Sequence, residues 1–177
     1  NGNHMLKKFY PTKREDSAYQ IDYKKYYEAG YRGLIYDIDN TLVPHGAPYT
    51  EAAQALFQKL HRIGFQTCLI SNNQEPRVAP FAEAVQSSFV SDAHKPSTKN
   101  YIRAMEIMGT DKTNTMFIGD QLFTDIYGAN RTGIYSILTK PIHPKEEIQI
   151  VLKRYLERIV LYFYERKCRK DSEYTKK

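Results

Sequence analysis

The chain has 177 residues, 41% of them hydrophobic, and a formal net charge of +6, which is enough for one domain with a real core. No apolar run approaches the roughly 18 residues that a bilayer span needs, and no basic-then-apolar leader is present, so neither a membrane-spanning nor a secreted protein is expected. The charge is uneven, with +3, −2 and +5 on residues 1–32, 33–152 and 153–177, which leaves ordinary solubility and attraction to an anionic surface both open.

Asn1-Gly2-Asn3-His4 before Met5 reads as an expression scar, and the fold reading takes 5–177 as a single domain. Residues 5–32 are rich in tyrosine (Tyr10, Tyr19, Tyr23, Tyr26, Tyr27, Tyr31). Phe9-Tyr10-Pro11 reads as an extended entry and residues 23–29 as one or two helical turns stopped at Gly30. The tyrosines are expected to cover one edge of a sheet.

Leu34, Ile35 and Tyr36 then suit a strand buried on both faces, and that strand runs straight into Asp37-Ile38-Asp39-Asn40-Thr41. Unpaired buried carboxylates cost several kcal/mol, a cost best tolerated where a metal or a reaction uses the charge. Pro44 to Pro48 is a loop. Thr50 caps a helix burying Ala53, Leu56, Phe57 and Leu60, with Gly64 as its stop.

Residues 65–70 form a second strand ending at Ser71. Pro76 opens a helix with Val78, Phe81, Ala82 and Val85 inside, and 88–90 is a third strand. Ser97 caps a helix through Ile107, and 115–118 is a fourth strand running into Gly119-Asp120. A short helix over 122–130 leads to a fifth strand, 133–138. Strands and helices alternating in this way predict an α/β fold, a three-layer sandwich around a central five-stranded parallel sheet. Ligands bind at the carboxyl ends of such strands, where Asp37, Asp39, Ser71 and Asp120 all fall.

Residues 145–169 read as a long helix with one apolar stripe. Val160-Leu161-Tyr162-Phe163-Tyr164 is apolar all round, more than one face requires. Core packing, a second subunit as in a homo-oligomer, and a membrane interface are the three readings of that surplus. Cys68 in an apolar run and Cys168 in a basic tail do not make a disulfide framework, so a reduced, cytoplasmic compartment is expected.

The segments Tyr36-Asp-Ile-Asp-Asn-Thr41, Ile70-Ser-Asn72, His94-Lys-Pro96 and Gly119-Asp-Gln-Leu-Phe-Thr-Asp125, in that order, resemble the four motifs of the haloacid dehalogenase-like (HAD) phosphatases. At the level of whole motifs they look like subfamily IIIA, the group that holds the YqeG-type enzymes and the phosphatidylglycerophosphate phosphatases. The resemblance implies a HAD-like Rossmannoid fold and phosphomonoester hydrolysis through an aspartyl-phosphate. It makes Asp37 the nucleophile and Asp39 the general acid and base, with Lys95 steadying charge. Ser71, Asn72 and Lys95 would hold the substrate phosphate. Mg²⁺ would be the cofactor, bound by Asp37, Asp120 and the backbone carbonyl of Asp39, with Asp125 acting through water or as an outer acceptor.

About thirty residues separate Asp39 from Ser71, and one loop, one helix and one strand use them up. No cap domain fits there or before Lys95. An open site favours large or surface-bound substrates, and the resemblance implies phosphatidylglycerophosphate, with anionic phospholipid as a partner and peripheral contact at the inner membrane face. A soluble small molecule or a phosphoprotein is the alternative substrate. A binding module for RNA or a ribosome-associated partner, working through the basic termini, is the alternative of a different class, although nucleic acid is not the expected partner. His45 follows the first motif closely enough to touch substrate, and His94 is expected to position the backbone beside Lys95.

Overall fold

Leu34, Ile35 and Tyr36 are fully buried, and the strand they form is the centre of the sheet. In a computed structural model that describes residues 5–143, 152, 155, 158–164, 166 and 169, six strands lie parallel. They are β1 (Lys13–Glu15), β2 (Gly33–Tyr36), β3 (Gln66–Ile70), β4 (Ser88–Val90), β5 (Thr115–Gly119) and β6 (Tyr135–Thr139), in the order β1-β6-β5-β2-β3-β4. The helices are α1 (Tyr23–Glu28), α2 (Glu51–Ile63), α3 (Glu75–Val85), α4 (Lys99–Met108) and α5 (Tyr127–Thr132).

Because successive strand residues point to opposite faces, the sheet builds two cores. Leu34, Tyr36, Leu69 and Ile118 face Phe57, Leu60, Val78 and Phe81 of α2 and α3. Ile35, Cys68, Ile70 and Phe117 face Tyr101, Ala104, Met105 and Ala129 of α4 and α5. The result is the three-layer sandwich expected. Burial pushes the Cys68 thiol up to about 12 and the residue is a free cysteine; Cys168 lies outside the described residues.

The sheet has six strands rather than five. The addition, β1, is Lys-Arg-Glu, which carries none of the alternating apolar pattern that marks a strand. It pairs with β6 from Lys13↔Ile137 to Glu15↔Thr139, helped by Ser136 N–H donating to Thr12 Oγ1 at 3.0 Å. Since β1 takes the edge, the tyrosines do not. Tyr26 and Tyr31 pack on Tyr135, Tyr27 packs on Phe65, and Tyr23 is wholly buried.

Thr50 caps α2 by accepting from Ala53 N–H, and Gly64 ends it with φ +119°. Thr98, not Ser97, is the residue before α4, and it makes no side-chain cap bond. The helix expected over 122–130 is instead a π-helical turn, Leu122–Ile126, followed by α5. Asp125 and Ile126 N–H both donate to Gln121 O, at 3.0 and 3.1 Å, and this wider turn aims Asp125 inward.

Of the helix expected over 145–169, residues 152, 155, 158–164, 166 and 169 are helical; the other residues of that range lie outside the described residues. Val160 to Tyr164 are all more than half exposed. Among the described residues no helix is long and apolar enough to cross a membrane.

Candidate active site

Asp37 stands one residue past the end of β2, and its N–H still donates to Ile118 O of β5 at 3.0 Å, so the backbone beneath the carboxylate is fixed by the sheet. Asn40 then takes φ +60°, and Asn40 N–H closes the turn onto Val43 O at 2.8 Å. An asparagine tolerates that left-handed conformation better than most residues. The turn folds Thr41 back, so that its Oγ1 lies 3.4 Å from Asp37 Oδ2 and 3.3 Å from Asp120 Oδ1.

Lys95 arrives from the loop after β4. Its N–H donates to Asn72 Oδ1 at 2.7 Å, and Asn72 Nδ2 returns a bond to Lys95 O at 3.4 Å. The lysine thus enters the site with its backbone clamped, and its Nζ donates to Asp37 Oδ1 at 2.8 Å and to Asp125 Oδ1 at 2.7 Å. Burial alone would lower the Lys95 pKa, but the charges of Asp125 and Asp37 more than reverse it and hold the ammonium above its ordinary value. Burial, joined by the Asp37 charge, raises Asp125, while Lys95 pulls it back. Asp125 is held in turn by Gln121 N–H at 3.2 Å on Oδ2, and its backbone carbonyl accepts from Tyr101 Oη at 2.9 Å.

Carboxylate oxygens of Asp37, Asp120 and Asp125 all lie within 4.8 Å of one another, and all three residues are buried. The Lys95 ammonium bonds two of them, and buried carboxylates crowded this closely are costly unless cations join them. Hard oxygen donors converging at this spacing fit a hard divalent ion such as Mg²⁺.

The Asp39 carboxylate is not one of this trio. It accepts from Gly46 N–H at 2.8 Å, Asn73 Nδ2 at 2.8 Å and Arg77 Nη2 at 3.0 Å, which leaves its backbone carbonyl as the group that the resemblance assigns to a metal. Ser71 sits at the end of β3, where its Oγ accepts Asn73 N–H at 3.0 Å and keeps its own hydrogen to donate. Asn72 spends its carboxamide on the Lys95 backbone rather than holding it toward the cluster. His45 is exposed. His94, at φ +49°, turns the chain into Lys95 while its ring stands 3.5 Å from Asp92 on the surface.

Arg77 and Asn73 are side chains on Asp39 that the four motif segments do not contain. Arg77 lies in the first turn of α3 while Asn73 precedes that helix, so no helical spacing along the chain announces that both reach Asp39. Thr41, inside the first motif, supplies the hydroxyl that bridges Asp37 and Asp120.

Residues 45–133 match the family described as haloacid dehalogenase-like hydrolase. Across most of its length the chain is also similar to the Probable phosphatase YqeG of Bacillus subtilis (strain 168), at 35% identity over 165 residues, 92% of this chain and 96% of that protein. The chain belongs to the haloacid dehalogenase-like hydrolases. It is an HAD-type phosphatase. The family match spans Ser71, Lys95, Asp120 and Asp125, while Asp37 and Asp39 precede it and lie in the strand-end turn described above.

A second relative, Phosphatidylglycerophosphate phosphatase 1, chloroplastic/mitochondrial, of Arabidopsis thaliana, is 26% identical over 166 residues, 85% of this chain and 45% of that protein. Among solved structures, a hypothetical protein from Xanthomonas campestris shares the HAD phosphatase's fold with a TM-score of 0.53 at 15% identity, covering 79% of each chain.

Proposed function

We propose that the protein hydrolyses a phosphomonoester through an aspartyl-phosphate on Asp37, with Mg²⁺ as cofactor. One observation carries this reading. A buried ammonium is shared between Asp37 and Asp125, with Asp120 beside them, an arrangement that serves no packing purpose but matches the needs of phosphoryl transfer.

An oxygen of Asp37 attacks phosphorus as the bond to the leaving alcohol breaks, and Asp39 gives that alcohol a proton. Water then attacks the phosphorus of the aspartyl-phosphate, its proton passes to Asp39, and phosphate leaves with Asp37 regenerated. Lys95 stays charged throughout, so it can orient Asp37 and offset charge on the phosphoryl oxygens. The Ser71 hydroxyl donates to one of those oxygens. Asp37, Asp120, Asp125 and the Asp39 carbonyl would hold Mg²⁺, which when bound supplies positive charge to phosphoryl oxygens in a pocket otherwise dominated by carboxylates.

The substrate we propose is phosphatidylglycerophosphate, reached at the cytoplasmic face of a membrane. The Arabidopsis relative's name supports this choice, as does a site with no inserted cap between Val43 and Lys95. The test is turnover of an aryl phosphate and of a panel of phosphomonoesters, phosphatidylglycerophosphate included, with and without Mg²⁺. Wild type should hydrolyse the aryl phosphate only with the metal, and Asp37→Asn should abolish turnover while leaving the circular dichroism spectrum unchanged. Near wild-type turnover by Asp37→Asn would remove Asp37 as nucleophile. A clear preference for a soluble ester would remove the lipid.

A further inference from the structure

The π-helical turn that aims Asp125 inward leaves Leu122 and Phe123 on its outside, 36% and 69% exposed. Phe9, from the short helical turn Lys7–Phe9, packs edge-on to Phe123 with ring centroids 5.2 Å apart and tilts onto Tyr127 at 4.9 Å. This N-terminal segment is fastened to α5 by Asn130, whose Nδ2 donates to Lys8 O at 2.9 Å and to Tyr10 O at 2.8 Å. Leu6, just before it, is 55% exposed.

Cations surround the aromatics. Lys8 Nζ lies 5.1 Å from the Phe9 ring centre and 5.4 Å from that of Tyr127, and the Arg131 guanidinium lies 5.4 Å from Tyr127 on its own account. Residues 5–14 contain no acid, and residues 121–134 contain only Asp125, which is buried.

An exposed aromatic and aliphatic patch flanked by lysine and arginine has the chemistry of a bilayer interface with anionic headgroups. A second copy is a poorer occupant, because a two-fold contact brings identical patches together and would set these cations against one another. We propose that the face formed by Leu6, Phe9, Leu122 and Phe123, with Lys7 and Lys8, docks the protein on an anionic phospholipid surface. Since Asp125 and Phe123 belong to one turn, docking there carries the carboxylate cluster to the headgroup layer. The proposal deepens the lipid reading given above, although vesicle binding does not require that the lipid be hydrolysed.

The test is sedimentation of the full chain with vesicles of phosphatidylcholine alone and of phosphatidylcholine mixed with phosphatidylglycerol. Wild type should bind only the mixed vesicles. Phe123→Ser should weaken that binding roughly tenfold through lost apolar insertion, and Lys7→Ala roughly fivefold through lost charge. Leu6→Ser, outside the Asp125 turn, guards against local distortion by Phe123→Ser and should also weaken binding. All three should turn over a soluble aryl phosphate as wild type does.

Wild-type vesicle binding by all three variants would overturn the proposal. So would failure of wild type to bind mixed vesicles, or a solution dimer that Phe123→Ser converts to monomer. Binding that follows these expectations without hydrolysis of phosphatidylglycerophosphate would sink the substrate reading and keep the docking face. Hydrolysis of that lipid on vesicles, equal in wild type and variants, would do the reverse.

Discussion

Arg77 Nη2 lies 3.0 Å from Asp39 Oδ1, tying the first turn of α3 to the second carboxylate of the Asp37-Ile38-Asp39 motif. The pair is largely shielded, with side chains 23% and 12% exposed, and Asn73 and Gly46 complete the grip. A proton-transfer group works only while held within hydrogen-bond reach of its partner.

Arg77→Ala should therefore lower kcat on an aryl phosphate by roughly tenfold, with KM little changed, because it loosens a group that acts in the transition state. Arg77→Lys should recover part of the loss. Steady-state kinetics beside a thermal melt separate this outcome from unfolding, and a kcat equal to wild type would deny Arg77 a positioning role.

Lys95→Met should destabilise the metal-free protein by about 3 kcal/mol, because Asp37 and Asp125 lose the cation between them and stay buried. Added Mg²⁺ should recover part of that stability. Urea titrations with and without the ion measure both effects, and an unchanged midpoint for the variant would contradict the shared ammonium.

The pH dependence of metal binding follows from Asp125. Its folded-state pKa, pushed up to about 6 by burial and the Asp37 charge, lies above its unfolded value near 4. A raised acid contributes stability that is fully present below the unfolded value and lost as pH rises through the folded one. The metal-free protein should therefore lose this contribution between about pH 4 and pH 6. Mg²⁺ favours the ionised carboxylate, so the rise in Tm on adding Mg²⁺ should grow across the same window. Differential scanning calorimetry over that range checks it, and a constant or shrinking Mg²⁺ effect would speak against the ligand role.

Gly119→Ala tests how closely the site is packed. A Cβ at Gly119 would stand 2.6 Å from Asp125 Oδ2 and 2.6 Å from the Phe117 ring, so the Asp125 carboxylate, the Phe117 ring or the strand end between them must move. Misplacement on the scale of an ångström costs roughly a hundredfold in rate. The variant should lose about that much kcat/KM and need more Mg²⁺ for half-maximal activity, read from a metal titration of aryl phosphate turnover.

What the linear chain determined by itself was the frame and the chemistry at its rim. Each buried strand announces itself by apolar residues and ends on a polar one, so Asp37, Ser71 and Asp120 were legible as neighbours at one edge of a parallel sheet. The pattern of facing residues in α2 and α3 was legible for the same reason, since periodicity reports which side of an element is buried. Folding alone decided the pairings. Lys95 reaches Asp37 across 58 positions and Asp125 across 30, and Arg77 meets Asp39 across 38, distances over which periodicity carries no information. The Lys13–Glu15 strand was hidden because its stability comes from a neighbour's backbone rather than from its own side chains. Asn72 went to the Lys95 backbone because two loops cross there. Which polar groups share a bond is set by where the sheet brings its loops, and that is a property of the assembled layers.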